Sequence, residues 1–377
     1  MVKDEYKPNQ STGFHSDYRE NEEFSSKCTK ISKMTATLTG GHTASVLCVD
    51  VDKTASFLAS GSENGELCIW KSDGSLLKKI ENIDTGCTSV CFSKEKENIL
   101  YVSFDEKIKV YDIKNLEEPV DCFEFNQEEI NQIVLDEKEK YLAACDDSGE
   151  IKIVDLHDKK VFKTLRLKHT NICSTACFRP RKPWEIITGG LDCKLIHWDF
   201  SRPKCVNQFN MQELQSVNAE GDAYMFNPPL VHNLSASLDG HYLAAALENG
   251  HVAVFDISRK NMRELYSLHA HSQGTSQVHF LSNKKLISGG NDCSICIWDL
   301  EKADQVETES ATNGDAATNG HTNGEDFRNE SVSEAAKIAE IQHVGKINWM
   351  KPFILEGSQK IAIADQSPNV TILNLEL

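Results

Sequence analysis

The stretch GGNDCSICIWD (residues 289–299) decides the fold, because five other stretches of the chain end in the same way. They are GSENGELCIW (61–70), SFDEKIKVYD (103–112), CDDSGEIKIVD (145–155), GGLDCKLIHWD (189–199) and LENGHVAVFD (247–256). Each contains a turn rich in Asp, Asn and Gly, which tolerate the positive φ angles of tight hairpins, followed by an apolar strand. The residue at the Trp position recurs at steps of 41, 43, 44, 57 and 43 residues, which is the period of a four-stranded propeller blade.

The two ends of the repeat array predict how the propeller closes. Residues 360–364 and 370–377 resemble the second and third strands of a last blade, after which the chain stops. Residues 36–39 form an unassigned strand just before the first full repeat. If this strand pairs beside residues 370–377, no exposed sheet edge remains. We therefore predict an all-β fold, a seven-bladed propeller closed by pairing of its N-terminal and C-terminal strands.

Three segments interrupt this plan. Residues 1–33 lack apolar periodicity and are expected to form a disordered tail before a propeller over 34–377. The step of 57 residues implies a loop insert at 207–229, and a longer insert at 303–337 contains the low-complexity run ATNG, ATNG, HTNG. We expect the longer insert to be flexible, although a peptide motif read by a partner is the alternative.

Composition narrows the possible partners and compartments. The formal charge is −17, from 40 basic and 57 acidic side chains, which argues against a nucleic-acid groove. The chain opens without an apolar segment and has no run of 18 apolar residues, so we expect neither export nor membrane association. The 13 cysteines fall largely in predicted strands, as in a reducing compartment. We expect an intracellular monomer, in the cytoplasm, the nucleus or both.

The chain resembles the WD40-repeat propellers, and four stretches carry the resemblance. They are GGHTASVLCVD (40–50), AACDDSGEIKIVDL (143–156), KHTNICSTACFRP (168–180) and SQVHFLSNKKLISGGNDCSICIWD (276–299). The resemblance implies that a His, a Ser or Thr, an Asp and a Trp hydrogen-bond in series within a blade. Two blades match at every position: His169, Thr188, Asp192 and Trp198, then His271, Ser288, Asp292 and Trp298. Because such buried networks rigidify a blade, we interpret these residues as structural, not catalytic.

The resemblance also implies a rim around the upper mouth of the propeller, where partners bind. The candidate rim residues are Ser45, Glu63, Phe104, Glu129, Asp147, Asn171, Leu191, Glu248, Asn291 and Lys346. Four of these are acidic and one is basic. The rim therefore suits a basic partner, unless it is only the solvated surface of an acidic protein.

A role in ubiquitination is a further implication of the resemblance. Some WD40 propellers act as substrate receptors that dock on the DNA damage-binding adaptor of cullin-4 ligases through a WDxR run. WDFSR (198–202) and WDLEK (298–302) place the cation one residue late. Only the run YDIK, with Tyr111, Asp112 and Lys114, has the required spacing, and Lys lacks the planar fork of Arg.

Catalytic and metal-binding motifs are absent from the sequence. There is no phosphate-binding loop, nucleophile elbow or HExxH run. The cysteine pairs at 87/91, 173/177 and 293/296 lack the second pair of ligands that a structural zinc needs. We expect no enzyme, no cofactor and no metal. The favoured function is a protein-interaction scaffold, as a ligase receptor or, alternatively, as a reader of basic or modified peptides such as histone tails.

Overall fold

The computed structural model describes residues 32–81, 85–216, 227–259, 261–312 and 323–376. Seven antiparallel sheets of four strands each form the blades of a propeller. The first strand of every blade contacts the first strands of both neighbouring blades, so these strands line the centre of a closed ring. The predicted seven-bladed fold is therefore confirmed.

Blades one to four follow one another along the chain in the order first to fourth strand. Their strands are β2 (Val46–Val51), β3 (Phe57–Ser62), β4 (Glu66–Lys71) and β5 (Leu76–Glu81); β6 (Cys87–Phe92), β7 (Ile99–Phe104), β8 (Lys107–Asp112) and β9 (Asp121–Phe123); β10 (Ile130–Leu135), β11 (Tyr141–Asp146), β12 (Ile151–Asp155) and β13 (Lys160–Leu165); and β14 (Cys173–Phe178), β15 (Glu185–Gly190), β16 (Lys194–Asp199) and β17 (Lys204–Asn210).

Blades five to seven complete the ring. Their strands are β18 (Val231–Ala236), β19 (Tyr242–Leu247), β20 (His251–Asp256) and β21 (Arg263–His269); β22 (Thr275–Phe280), β23 (Lys285–Gly290), β24 (Ser294–Asp299) and β25 (Lys337–Gln342); and β26 (Ile347–Leu355), β27 (Ser358–Asp365), β28 (Val370–Leu375) and β1 (Ser32–Leu38). Strand β1 pairs antiparallel with β28, with Leu38 opposite Val370, so the two ends of the chain close the last blade as predicted.

The boundary of the N-terminal tail differs slightly from the prediction. Ser32 and Lys33 already belong to β1, where they face Leu375 and Asn374 of β28. The rest of the predicted tail, residues 1–31, lies outside the described residues. The closing strand is thus longer than residues 36–39, and its first residues add pairing to the last blade.

The flanks of the long insert are helical, which corrects the expectation of a flexible segment over 303–337. Helix α2 (Leu300–Thr312) and helix α3 (Asn323–Ala336) precede β25. Ala303, Val332 and Ala336 are buried in the core that blades five and six share. Most of the low-complexity run lies at 313–322, outside the described residues. The flanks pack because their few apolar residues cover the outer strand of blade five, a contact that composition does not reveal.

The shorter insert also begins with ordered structure. Asn207–Asn210, expected in a loop, are the end of β17 and pair with β16. Helix α1 (Met211–Ser216) follows, and Met211 is buried between blades four and five. Residues 217–226 lie outside the described residues.

Candidate protein-interaction site

The strand connections define two faces of the ring. Because strands alternate in direction, the turns between second and third strands lie on the same face as the loops that lead into each blade. We call this the upper face, and the opposite face, with the other two turns of each blade, the lower face. At the upper face the rim residue of a blade donates its backbone N–H to the chain beside the first strand: Glu63 to Ser45, at 3.0 Å, and Asp147 to Glu129, at 3.1 Å. The rim pairs expected in blades one and three therefore lie side by side.

Phe104 is wrong as a rim residue. It is 2% exposed and packs in the core between blades one and two. Phe104 pairs with Cys87 as Gly190 pairs with Cys173 in blade four. Because Gly190 comes just before the rim residue Leu191, Phe104 also lies one position before the rim. The turn of blade two is one residue shorter than those of its neighbours, and this misleads an alignment on the Trp position. The residue at the rim is Asp105, whose carbonyl accepts a hydrogen bond from the Ile130 N–H at 2.9 Å.

Acidic residues form an arc over blades two and three. It comprises Asp105, Glu106, Glu128, Glu129 and Asp147, and we call it the acidic arc. Burial, together with the charges of Asp147 and Asp105, raises the pKa of Glu129 above its ordinary value. The pKa of Asp105 is also raised, chiefly by the neighbouring Glu106. None of the five carboxylates of the arc forms an ion pair among the described residues, so the arc can accept positive charge from a partner.

The rim over blades five to seven is different. Glu248 accepts a hydrogen bond from His232 Nε2 at 2.5 Å, which is the main cause of its lowered pKa, and Lys346 lowers it further. Asn291 is half-buried, and its N–H binds the Gly274 carbonyl at 2.8 Å. The negative charge on this side is therefore compensated within the protein.

The remaining predicted rim residues belong to blade four. Asn171 is exposed, and its Nδ2 donates to the Leu191 carbonyl at 3.4 Å. Leu191 is half-buried. At its two predicted rim positions, blade four therefore carries uncharged side chains between the acidic arc and the compensated side.

The four predicted residues of blade four meet in one hydrogen-bonded series. Trp198 Nε1 donates to Thr188 Oγ1 at 2.9 Å, which lies 2.8 Å from His169 Nε2. His169 Nδ1 lies 3.0 Å from Asp192 Oδ1. Burial alone would raise the pKa of Asp192, but its hydrogen bonds from His169 and from backbone N–H groups hold it below the ordinary value. Gly190 precedes the turn because a Cβ there would lie 2.8 Å from the His169 ring.

Blade six repeats this arrangement with a serine. Trp298 Nε1 lies 3.0 Å from Ser288 Oγ, which lies 2.9 Å from His271 Nε2. His271 Nδ1 lies 3.0 Å from Asp292, which also accepts from the backbone of Ser272. Each polar atom of the series is occupied by another member or by backbone, so the series offers no free nucleophile and orders the upper turn.

Blade one reaches a similar end with a residue that the sequence did not single out. His42 Nε2 lies 2.6 Å from Ser60 Oγ, and Trp70 donates to the same oxygen at 2.8 Å. Glu66 supplies the carboxylate, 3.7 Å from His42 Nδ1, and binds Lys79 at 2.6 Å. Although burial opposes it, the hydrogen bond from Lys79 lowers the pKa of Glu66 to about 2. The turn position itself holds Asn64, so Glu66 could be found only from the folded structure.

Two further buried pairs were also missed. His343 Nε2 lies 2.6 Å from Asp365 Oδ2 in blade seven. In blade three, Asn126 Nδ2 donates to Asp146 Oδ2 at 2.8 Å. The carboxylate of each pair stands one position before the rim, where blade four has Gly190. An alignment on the turn Asp therefore overlooks them.

The candidate docking residues lie on the lower face of blade two. Tyr111 is 3% exposed and packs between blades one and two, so it is wrong as a direct contact. Asp112 accepts the backbone N–H of Lys114 at 3.0 Å and closes the turn. Lys114 is exposed and forms no ion pair with any described residue. Only the lysine is available to a partner.

Neither a metal-binding cluster nor a membrane-spanning helix occurs in the described part of the chain. No three His, Cys, Asp or Glu side chains in the described ranges cluster so as to hold a metal ion. Among the described helices, none is long and apolar enough to cross a membrane.

Comparison with known proteins gives the following relatives. Residues 32–71 and 262–299 match the family described as WD domain, G-beta repeat. The chain is 32% identical to the WD repeat-containing protein 53 homolog of Dictyostelium discoideum over 89% of this chain and 93% of that protein. It is 23% identical to the E3 ubiquitin-protein ligase COP1 of Arabidopsis thaliana, over 64% of this chain but 33% of that protein. The Protein LST8 homolog of Drosophila pseudoobscura pseudoobscura is 21% identical, over 64% of this chain and 74% of that protein.

Proposed function

From the premise that this chain belongs to the WD40-repeat family, in the group of WD repeat-containing protein 53, we propose that it is a substrate receptor of a cullin-4 RING ubiquitin ligase. The WD40 membership predicted from the repeats is confirmed. WD40 propellers are protein-interaction scaffolds and are generally non-catalytic. The finer role adds a ligase adaptor as the partner of one face.

The observation that carries the proposal is Lys114, which is exposed at the lower end of blade two and has no ion pair among the described residues. A lysine held beside a closed turn can make a charge-assisted contact with a carboxylate of the adaptor. Exposed cations also follow the third strands of blades four and six one residue later: Arg202 in a turn and Lys302 in the first turn of helix α2. The relative COP1 is named as an E3 ubiquitin-protein ligase, and the similarity to it also supports a role in ubiquitination.

Co-purification of the DNA damage-binding adaptor with the tagged full-length chain tests this proposal. Lys114→Glu should reduce recovery of the adaptor about tenfold, because it replaces attraction with repulsion, whereas Lys114→Arg should maintain it. Lys168→Glu, at an exposed lysine of the upper face, is the matched control. Undiminished recovery with Lys114→Glu removes this site, and absence of the adaptor from the wild-type sample removes the receptor role.

A second function, reading basic or modified peptides of the histone-tail type, is favoured by the acidic arc. The arc gathers five acidic side chains at the upper face of blades two and three, and a cation of a partner would stabilise their charged forms. A lysine-rich peptide should then bind with an affinity that falls when Glu129→Gln is introduced. This outcome, combined with absence of the adaptor, would replace the first function with the second.

We also propose that the protein works as a monomer inside the cell, in the cytoplasm or the nucleus. The described cysteines are all free, and most are buried in blades. Free thiols in such number suit a reducing compartment. Imaging of the fluorescently tagged chain tests this location.

A further inference from the structure

One tryptophan is exposed on the lower face of blade four. Trp184 is 39% exposed, whereas Trp70, Trp198 and Trp298 are at most 3% exposed. It lies in the turn between β14 and β15, and its carbonyl accepts the Phe200 N–H at 2.9 Å. Among the described residues the other Trp, Tyr and Phe rings are buried or half-buried, so this exposed indole needs a physical explanation.

Trp184 sits on a rigid stack of aromatic rings. Its ring centroid lies 5.6 Å from Phe200, 5.8 Å from Tyr141 and 6.1 Å from Phe162. Phe200 and Tyr141 are buried. The indole is therefore held in place before any partner arrives, which lowers the entropy lost on binding.

A second exposed apolar side chain stands in the neighbouring turn. Leu238, in the turn between β18 and β19 of blade five, is 73% exposed. The two turns touch, because a Cβ on Gly240 would lie 2.9 Å from the Pro180 carbonyl oxygen. Trp184 and Leu238 thus flank one continuous stretch of the lower face.

Cations surround these apolar residues. They are Lys140, Arg181, Lys182 and Arg202, all exposed. Lys140 Nζ lies 6.0 Å from the Trp184 ring centroid, and Arg181 and Lys182 stand in the same turn as Trp184. Together with Trp184 and Leu238 they form what we call the lower patch.

The cations of the lower patch are not joined by ion pairs to the acidic side chains near them in the described residues. None of its four cations forms an ion pair within the described ranges. The acidic side chains of these turns are engaged with other groups. Glu137 accepts the Arg181 backbone N–H at 3.2 Å, and Glu185 binds the buried Arg179 and His197. Asp239, beside Leu238, accepts a hydrogen bond from Ser237 and pairs with His241. Within a chain of net charge −17, the lower patch thus presents four exposed cations, without ion pairs among the described residues, beside an exposed indole.

We propose that the lower patch binds an acidic segment of another protein that carries a large apolar side chain. The cations attract the carboxylates and speed association, and Trp184 supplies the buried anchor that such interfaces require. A nucleic acid fits less well, because four cations are few for a phosphate backbone and the exposed Leu238 offers no hydrogen bond to a base. The patch does not include Lys114, although it contains Arg202 of the run WDFSR, and its test with a peptide does not use the ligase adaptor.

Fluorescence anisotropy with the purified full-length chain tests the inference. The probe is a labelled peptide of about eleven residues, all Asp or Glu except for a central Phe, and its binding should weaken as salt is raised. Trp184→Ala should weaken binding about tenfold, and the double variant Arg181→Glu/Lys182→Glu should do the same and flatten the salt dependence. Trp184→Phe keeps the aromatic stack and should retain most of the affinity.

Matched controls separate the patch from general effects. Leu167→Ala removes an apolar residue that is 89% exposed on the upper face, and Lys114→Glu removes a lower-face cation outside the patch. Both should keep wild-type affinity, and a peptide with Lys in place of Asp and Glu should not bind the patch. The inference is overturned if the acidic peptide does not bind, if Trp184→Ala binds it as well as wild type, or if a labelled RNA oligonucleotide binds through these residues instead.

Discussion

Two sets of buried polar groups hold this propeller together, and they follow different rules. Within blades four and six, a His, a hydroxyl, an Asp and a Trp repeat the same geometry with the same residue types. Between blades, side chains of one first strand accept backbone N–H groups of the next. Examples, each with the acceptor side chain first and the donor N–H second, are Asp50 and Phe92 (2.7 Å), Ser89 and Ile133 (3.2 Å), Gln132 and Ala176 (2.9 Å), Thr175 and Leu234 (3.2 Å), and Asn233 and Val278 (3.2 Å).

The two sets differ in residue types because their hydrogen bonds have different geometric requirements. The series within a blade must place four groups at fixed angles, so few residue types serve. The bonds between blades need only one acceptor within reach of a buried N–H, because a buried N–H without a partner costs free energy. Asp, Ser, Gln, Thr and Asn all serve, and the set therefore has no sequence motif.

The largest expected effect on stability is at blade seven. This blade contains the closing strand β1 and also bonds to blade one. Asn348 Nδ2 donates to the Val46 carbonyl at 2.9 Å, and Lys351 binds Asp50 at 2.7 Å. Deleting residues 1–39 removes β1 and exposes the edge of β28, and should lower the melting temperature by about 10 °C or more. Deleting residues 1–31, which leaves β1 intact, is the control. Equal melting temperatures would show that closure does not depend on β1.

A smaller effect is expected within the blades. Asp292→Ala or Asp192→Ala leaves a buried histidine and several backbone N–H groups without their acceptor, a loss of about 1–3 kcal/mol in the free energy of unfolding. Asp73→Ala, in an exposed turn, is the control and should change the free energy of unfolding little. Denaturant unfolding measures the free energy of unfolding of each variant. Full stability of both Asp292→Ala and Asp192→Ala would contradict a structural role for the series.

A single bond between blades should matter less than a whole series. Thr175→Val keeps the shape of the side chain but removes the acceptor of the Leu234 N–H, at a cost of about 1 kcal/mol. Thr170→Val, at an exposed threonine, is the matched control. If Thr175→Val costs as much as Asp292→Ala, the distinction between the two sets fails.

The smallest effect concerns pH and blade one. Burial lowers the pKa of His42 from 6.5 to about 4. Between these values the unfolded chain binds a proton that the folded chain does not, so stability falls as the pH falls through 6.5. The contribution is about 0.7 kcal/mol between pH 7 and pH 6. Unfolding of wild type and His42→Gln over this range should show a shallower slope for the variant, and parallel slopes would contradict the buried neutral histidine.

From the sequence alone we could predict the number of blades, the strand that closes the ring and the members of the hydrogen-bonded series in blades four and six. These features depend on residues a few positions apart, on turns that need Asp, Asn or Gly and on strands that alternate toward a core. The period of the repeat carries that local information directly. Even the exchange of Trp for Tyr111 or Phe255 did not hide it, because both rings still fill the blade core.

Only the tertiary structure decided the register and the partners across blades. A turn one residue shorter put Asp105 on the rim in place of Phe104, and Glu66 took the carboxylate role from a different position in blade one. The helices of the long insert pack because blade five offers them an apolar face. The lower patch brings together turns of three blades, so its charge and exposure arise from proximity. Each of these features depends on groups distant in sequence but near in space, and such contacts leave no local pattern in the chain.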